Sequence, residues 1–135
     1  MRVRALDASA FVELILRSDA GLEVERELRG CTVVAPAHFD AEVFSALGKL
    51  FRAGDLDEGR VEIGLGQLAR VPLIRYPVAP LLRDAWALRH NLTLRDALYI
   101  ALARRLKATF LTADARLARA PDVGVSLIVV ANQPG

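Results

Sequence analysis

The chain has 135 residues, of which 53% are hydrophobic and 25% are charged, and its formal net charge is +2. This length and composition favour a single domain with a sizeable core and argue against a disordered chain. The first apolar stretch, residues 5–16, is interrupted by Asp7 and Glu13. It therefore predicts neither a membrane span nor a signal-peptide core, and we expect a cytoplasmic protein that does not contact membranes. The single cysteine, Cys31, excludes an internal disulfide and a cysteine-based metal site.

Short apolar runs alternate with helical patterns along the chain. Strands are predicted at residues 2–6, 32–35, 73–76, 109–111 and 126–130, and helices at 9–17, 21–29, 38–53, 57–70, 80–90 and from Thr93 to about 107. Ser9 and Thr93 are the expected N-caps of their helices, and Asp57 is expected to start its own. Pro36 is expected to end the second strand. This alternation predicts a parallel sheet covered on both faces, so residues 1–135 should form one three-layer α/β/α sandwich, with 131–135 as a polar tail.

Four acidic residues fall at the predicted carboxyl edge of this sheet. They are Asp7 at the end of the first strand, Glu42 early in the helix after the second strand, Asp96 in the first turn of the helix before the fourth strand, and Asp114 just after that strand. Taken singly, Asp96 and Asp114 are equally well explained as helix caps, and Glu42 as a solvated helix residue. Asp7 is harder to explain in this way, because an unpaired carboxylate at the end of an apolar strand is unfavourable to bury.

Repulsion among these carboxylates predicts a bound cation. Two carboxylates about 4 Å apart repel by roughly 4 kcal/mol at an effective dielectric of about 20, and no lysine is predicted among the four. Oxygen ligands without histidine or cysteine suit Mg²⁺ or Mn²⁺ rather than zinc. Such ions polarise phosphates and generate hydroxide, which predicts phosphodiester hydrolysis with one or two ions. Asp40 is a competing candidate, but it lies about 200° around the helix from Glu42, so both can hardly face one site.

The residues around the acids resemble a known family. Asp7-Ala8-Ser9, Glu42, the run Asp96–Ala103 and the run Leu111–Leu117 closely resemble PIN-domain ribonucleases, and among these the VapC-type toxins of bacterial toxin–antitoxin pairs. The resemblance implies the strand order 3-2-1-4-5, with an element near 121–130 at the edge. It also implies a Mg²⁺- or Mn²⁺-dependent endoribonuclease that leaves a 5′-phosphate. Its partners would be RNA, a second copy of the chain in a homodimer or larger toxin–antitoxin complex, and a VapB-type antitoxin whose tail enters the acidic groove.

The resemblance also assigns roles to individual residues. Asp7 and Asp96 would be the firmest metal ligands, Glu42 would bind metal directly or through water, and Asp114 would position a second ion or the attacking water. Ser9 and Thr112 would support the site by hydrogen bonding.

Other conspicuous residues have simpler explanations. Arg95 and Arg116 flank the acids and are the expected contacts for RNA phosphates, because arginine suits phosphate. An arginine-rich genome explains the abundance of arginine equally well. His38 and His90 are expected to be surface or cap residues, and Trp86 and Tyr99 to be core or dimer-interface aromatics.

Three other functions compete with the nuclease. One is a catalytically silent PIN-like binding module, and another is a metal-dependent phosphomonoesterase. The third, a receiver-like phosphoacceptor domain, is disfavoured because no lysine follows residue 107. If RNA is the substrate, single-stranded or looped RNA is favoured, because the A-form groove hides base edges from side chains.

Overall fold

The computed structural model describes residues 2–120 and 122–134. Met1, Pro121 and Gly135 lie outside the described residues, and so do the parts of the predicted domain, edge element and tail that fall on them. The strands of the described chain are β1 Val3–Leu6, β2 Thr32–Pro36, β3 Leu73–Tyr76, β4 Thr109–Thr112 and β5 Leu127–Val129. Its α-helices are α1 Ala8–Leu16, α2 Asp19–Leu28, α3 Phe39–Arg52, α4 Glu58–Arg70, α5 Leu82–Trp86 and α6 Leu94–Leu106, and two 3-10 helices cover Ala79–Leu81 and Ala115–Arg119.

The strands form one parallel sheet in the order β3-β2-β1-β4-β5, which confirms the order implied by the resemblance. Right-handed crossovers place the helices between β1, β2 and β3 on one face and the helices between β3 and β4 on the other. The packing agrees, since α1 contacts α2 and α3, α3 contacts α4, and α5 packs on α6. The predicted three-layer sandwich is therefore confirmed. All five strands end at one edge, which is where ligands bind in sheets of this type.

The core lies between the sheet and the two helical layers. Leu6, Phe110 and Leu111 from the two central strands are fully buried, and so is Ile100 from α6. Burial of α6 extends around much of its surface, as its apolar sequence predicts, and Thr93 caps it by accepting a hydrogen bond from the backbone N–H of Asp96. In the described part of the chain, no helix is both long and apolar enough to cross a membrane.

Two predicted helix starts were wrong. Helix α1 begins at Ala8, so Asp7 rather than Ser9 occupies the N-cap position. Helix α2 begins at Asp19 and is capped by Ser18, whose hydroxyl accepts from the N–H of Gly21. Gly21 is needed for packing rather than for the helix start. A Cβ at this position would lie 2.2 Å from the backbone oxygen of Glu13 in α1.

Two other boundaries also differ from the prediction. Pro36 belongs to β2, because it pairs with Tyr76 of β3. The pairing of β2 with β1 ends at Val34, so the missing N–H of Pro36 removes no hydrogen bond to β1. The helix predicted at 80–90 is a 3-10 helix followed by the five residues of α5. After Trp86 the backbone continues in tight turns, such as the bond from the N–H of Arg89 to the Trp86 carbonyl.

Candidate active site

A groove of about 290 Å³ opens at the carboxyl edge of the sheet. All four acids singled out from the sequence line it, although they come from the β1–α1 junction, α3, α6 and the segment after β4. Topology therefore brings together residues that no local rule of sequence requires to meet. Asp96 and Asp114 are electrostatic neighbours, as the antiparallel packing of α6 and β4 predicts.

The carboxylate of Asp7 is held from behind by two hydroxyls. Thr112 Oγ1 donates to Asp7 Oδ2 at 2.6 Å and Ser9 Oγ donates to the same oxygen at 2.8 Å. The hydroxyl oxygens accept backbone hydrogen bonds from Asp114 and Ala113, respectively, which leaves the hydroxyl protons for Asp7. Within residues 2–120 and 122–134, Asp7 Oδ1 receives no hydrogen bond. The predicted supporting positions of Ser9 and Thr112 are thus both beside Asp7.

Asp7 occupies an N-cap position but does not cap its helix with its side chain. Its backbone N–H continues the sheet by donating to the Leu111 carbonyl, and its own carbonyl accepts from the first turn of α1. Aspartate is a favourable cap residue, so an aspartate that leaves the helix N–H groups unbound is available for another role.

Burial raises the pKa of Asp7 to about 6, and the nearby carboxylates of Asp96 and Glu42 add to the rise. The hydrogen bonds from Thr112 and Ser9 act in the opposite direction, because they stabilise the ionised form. Burial also raises the pKa of Asp96, and Asp114 and Glu42 contribute to that rise. The groove therefore concentrates negative charge that its own chain only partly compensates.

Glu42 is held at the groove by side chains from α6 and from its own helix. Tyr99, which is 1% exposed, donates its hydroxyl hydrogen bond to Glu42 Oε1 at 2.7 Å. An Arg95 nitrogen lies 3.4 Å from Oε2, and His38 Nε2 lies 3.4 Å from Oε1. Burial and the Glu42 charge raise the pKa of Tyr99, so the phenol stays protonated and remains a donor.

Asp114 is engaged by Arg116, two residues further along the chain. The Asp114 carboxylate accepts from the Arg116 backbone N–H, which makes it the N-cap of the 3-10 helix, and from the guanidinium at 3.0 and 3.1 Å through Nε. The guanidinium lowers the pKa of Asp114 below its ordinary value. Asp114 is therefore a helix cap, as one of its two explanations has it, and it also lines the groove.

Asp40 lies outside the groove. Its two oxygens accept from Arg75 at 2.8 and 2.9 Å, and this ion pair joins α3 to β3. Glu42, on the other side of the same helix turn, is the residue that lines the groove. The structure thus places Glu42 at the groove and Asp40 away from it, in line with the helical offset of about 200° between them.

Lys49 is a groove residue that the sequence analysis missed. It lines the groove together with Arg95 and Arg116, so the expectation that no lysine lies among the acids was wrong. In the described part of the chain, Lys49 has no ion pair or hydrogen bond through its side chain. Its spacing could have revealed it, because a residue seven positions after Glu42 returns to the same face of a helix.

Proteins of similar sequence identify the family of this chain. The family model described as PIN domain matches residues 4–123. Ribonuclease VapC3 of Mycobacterium tuberculosis is 47% identical over 116 residues, which are 85% of each chain. The chain belongs to the VapC group of PIN-domain proteins. Ribonuclease VapC12 of the same organism is 38% identical over 126 residues, covering 93% of this chain and 98% of its own.

The PIN fold is also found among solved structures. VapBC2 from Rickettsia felis, bound to a DNA fragment from its promoter, aligns with a TM-score of 0.68 at 17% identity, covering 95% of this chain and 98% of that one. At this identity the likeness concerns the fold alone. It agrees with the strand order and the enclosing helices of this PIN domain.

The donor set of the PIN-domain groove fits a hard divalent cation in its chemistry. Four carboxylates line one groove, and repulsion from Asp96 and Glu42 contributes to the raised pKa of Asp7. A bound cation would relieve this repulsion. Over the ranges 2–120 and 122–134, however, no three Asp, Glu, His or Cys side chains are arranged to hold a metal ion. Glu42 and Asp114 are directed instead to protein partners.

The remaining conspicuous residues of the PIN domain fall in three places. Tyr99 is in the core, which was one of the two predicted places for it. Trp86 is not in the core, because it is 57% exposed, and Arg89 is stacked over its ring. His90 is exposed, as predicted. His38 is the N-cap residue of α3, as one of its two predicted alternatives has it, but its side chain does not cap the helix and instead lies beside Glu42, with its ring 5.0 Å from that of Tyr99. Burial lowers the pKa of His38 below 6.5, so neutral imidazole predominates at pH 7.

Proposed function

We propose that this VapC-group protein is a Mg²⁺- or Mn²⁺-dependent endoribonuclease, the toxin of a VapB–VapC pair, which hydrolyses RNA phosphodiester bonds with water. The observation that carries the proposal is the buried Asp7 carboxylate, held through one oxygen and facing three other acids in an open groove. Such an arrangement opposes folding, so a functional origin is the better explanation. The names of the relatives VapC3 and VapC12, both ribonucleases, support the same reaction.

We assign the roles of the acids from their surroundings. Asp7 and Asp96 are the metal ligands, because they are the acids whose pKa values are raised by burial and by neighbouring carboxylates. Glu42, fixed by Tyr99, binds the ion directly or through water. Asp114 takes part once it is released from Arg116, and it positions the attacking water or a second ion. A bound ion would polarise the phosphate and lower the pKa of water.

The cations of the groove are suited to hold the RNA strand. Arg95 and Arg116 pair with Glu42 and Asp114 in this structure, and each arginine side chain is 75% exposed. Phosphate oxygens can therefore replace the carboxylates as partners of these arginines without further burial. Lys49 carries a positive charge without a protein partner among the described residues, so we assign it a phosphate contact as well.

We further propose a VapB-type antitoxin and a second copy of the chain as protein partners. Phe44 and Phe51 of α3 and Ile63 of α4 are all at least half exposed, and a hollow of about 340 Å³ lies between these helices. Ser45 lines both this hollow and the acidic groove. An antitoxin segment could thus cover apolar side chains and reach the acids. The exposed Leu82 and Trp86 of α5 offer a separate apolar surface for a homodimer.

A silent binding module is the second candidate, and a specific observation favours it. The Asp114 carboxylate is occupied by Arg116, and no three side chains of the described residues are arranged around one ion position. A protein that never releases Asp114 from Arg116 would bind its partners without cutting RNA. A phosphomonoesterase would instead turn over small phosphate esters and leave RNA intact.

Cleavage of total and transfer RNA by the purified, antitoxin-free protein tests the proposal. We expect cutting in Mg²⁺ or Mn²⁺, none in EDTA, and none with Asp96→Asn. Asp40→Asn is the matched control, because this acid is bound to Arg75 outside the groove, and it should keep its activity. Binding of Mn²⁺ without cutting would favour the silent module. Hydrolysis of a small phosphate ester with RNA intact would favour the phosphomonoesterase, and absence of both metal binding and cutting would refute the four-acid interpretation.

A further inference from the structure

A second hollow adjoins the acidic groove beyond Asp96. It has a volume of about 270 Å³, and Thr93, Asp96 and Arg116 line both the groove and this hollow. Asn91 and Arg119 line the hollow alone, and we call it the Asn91–Arg119 hollow. Because three residues border both the groove and the hollow, a nucleic-acid strand that lies in the groove can continue directly into the hollow.

We propose that the Asn91–Arg119 hollow binds the nucleotide next to the scissile phosphate of a single-stranded RNA, with Asn91 contacting the edge of the base and Arg119 the flanking phosphate. The inference rests on the proposed function, since it takes the acidic groove as the place of hydrolysis. It adds to that function a site that selects the sequence to be cut.

The lining of the hollow matches the chemistry of a nucleotide. Leu92 and Leu117 give it apolar walls, which suit the face of a base. Over the described ranges, the amide of Asn91 and the guanidinium of Arg119 make no hydrogen bond or ion pair through their side chains. An amide offers a donor and an acceptor together, which is what recognition of a base edge requires. The free guanidinium suits a phosphate.

The distribution of cations indicates the path that the RNA strand follows across the surface. Lys49 lines the groove but not the hollow, and Arg119 lines the hollow but not the groove. The arginines between them, Arg95 and Arg116, are paired with acids. In the part of the chain described, unpaired positive charge therefore lies on both sides of the acids, where phosphates on either side of the cut would lie.

The position of the hollow in the fold also suits a specificity site. Asn91 lies in the turn between α5 and α6, and Arg119 ends the 3-10 helix that follows β4. Both segments are connections at the carboxyl edge of the sheet. Such connections can change in sequence without disturbing the core, and they commonly carry binding residues.

Photocrosslinking in EDTA tests binding without cleavage. The probe is a single-stranded RNA of randomised sequence that carries one 4-thiouridine, and crosslinked peptides of the full chain are identified by mass spectrometry. We expect crosslinks to residues 91–93 and 116–119. Crosslinks confined to α3 near Lys49, or the absence of any crosslink, would overturn the inference.

Variants separate recognition of the base from binding of the phosphate. Sequencing of cleavage sites should show that Asn91→Ala loses base preference at one position beside the cut, by about tenfold or more. Arg119→Ala should weaken RNA binding for all sequences and reduce the slope of log affinity against log salt by about 1. The matched control is Arg83→Ala, an exposed arginine of α5, which should change neither quantity.

The outcomes distinguish the inference from the proposed function. The inference would be refuted, and the nuclease would stand, if two results came together. Asn91→Ala would cleave RNA with the site preference of the wild type, and Arg119→Ala would match Arg83→Ala in RNA affinity and salt dependence. Crosslinks in the hollow without any cleavage in Mg²⁺ or Mn²⁺ would support the nucleotide site and refute the nuclease.

Discussion

Replacing Asp7 with asparagine should stabilise the metal-free protein at neutral pH. The pKa of Asp7 is raised from 3.8 to about 6 in the folded state, chiefly by burial. The folded protein thus binds this proton more tightly than the unfolded chain does. Ionisation of Asp7 therefore lowers the free energy of unfolding. This loss is negligible below pH 3.8, grows between pH 3.8 and 6, and is constant above pH 6.

The magnitude follows from the two pKa values. At about 1.36 kcal/mol for each pH unit, ionised Asp7 lowers the free energy of unfolding by about 3 kcal/mol at pH 7.5 and by about 1 kcal/mol at pH 4.5. The amide side chain introduced by Asp7→Asn would keep an oxygen that accepts from Ser9 and Thr112. Its NH₂ group would face Asp96 and Glu42 in place of a third negative charge.

Urea unfolding in EDTA at the two pH values measures this difference. We expect Asp7→Asn to raise the free energy of unfolding by up to about 3 kcal/mol at pH 7.5 and by about 1 kcal/mol at pH 4.5. The control, Asp40→Asn, should have the opposite sign, because it removes the partner of Arg75. An Asp7→Asn protein less stable than the wild type at pH 7.5, or equally stabilised at both pH values, would refute the reasoning.

Divalent metal should reverse the comparison. A cation that binds the folded state alone adds stability that increases with its concentration. Addition of Mn²⁺ should therefore stabilise the wild type more than Asp7→Asn. An equal gain in both proteins would show that Asp7 is not a metal ligand.

Substitutions at Thr112, Gly21 and Arg116, two of them with a matched counterpart, test the support of the site, the packing beneath it and the competition of Arg116 with the ion. Thr112→Val removes a charge-assisted hydrogen bond and should lower the free energy of unfolding at pH 7.5 by about 1.5–3 kcal/mol, whereas Thr112→Ser keeps the hydroxyl and should lose much less in the same urea titration. Gly21→Ala places a methyl group against the backbone of α1 and should destabilise by about 3 kcal/mol. At Gly48, the counterpart, an added Cβ has open space around it, and Gly48→Ala should raise the free energy of unfolding by up to about 1 kcal/mol. Equal effects of the two substitutions would contradict the packing argument. Arg116→Ala frees Asp114 and should raise Mn²⁺ affinity by about two- to fivefold while RNA affinity falls. Calorimetry that showed weaker Mn²⁺ binding instead would mean that the guanidinium does not compete with the ion.

The sequence by itself determined the helices and strands and their order along the chain. Short apolar runs located all five strands, because strands covered on both faces need apolar residues throughout, and apolar residues at helical spacing located most helices. Thr93 was correctly identified as a cap, and the start of α4 was correctly placed at Asp57, which is its N-cap in the structure. The predictions were wrong where a distant contact decides the outcome. Pro36 stays in β2 because its pairing with Tyr76 lies beyond the last pairing of β2 with β1, and Ser18, which caps α2, also donates a hydrogen bond to Glu13 of α1.

The four acids were recognisable because each sits beside an element boundary that the pattern predicts. Their partners were not, since the contact of Tyr99 with Glu42 spans 57 residues and that of Thr112 with Asp7 spans 105. The engagement of Asp114 by Arg116 and the free charge of Lys49 depend on side-chain directions that composition and spacing leave open. Sequence thus determined which acids reach the carboxyl edge of the sheet, but not that Lys49 joins them there. Only the tertiary structure decided which of them are paired and which remain free, because pairing depends on distances between segments that folding alone brings together.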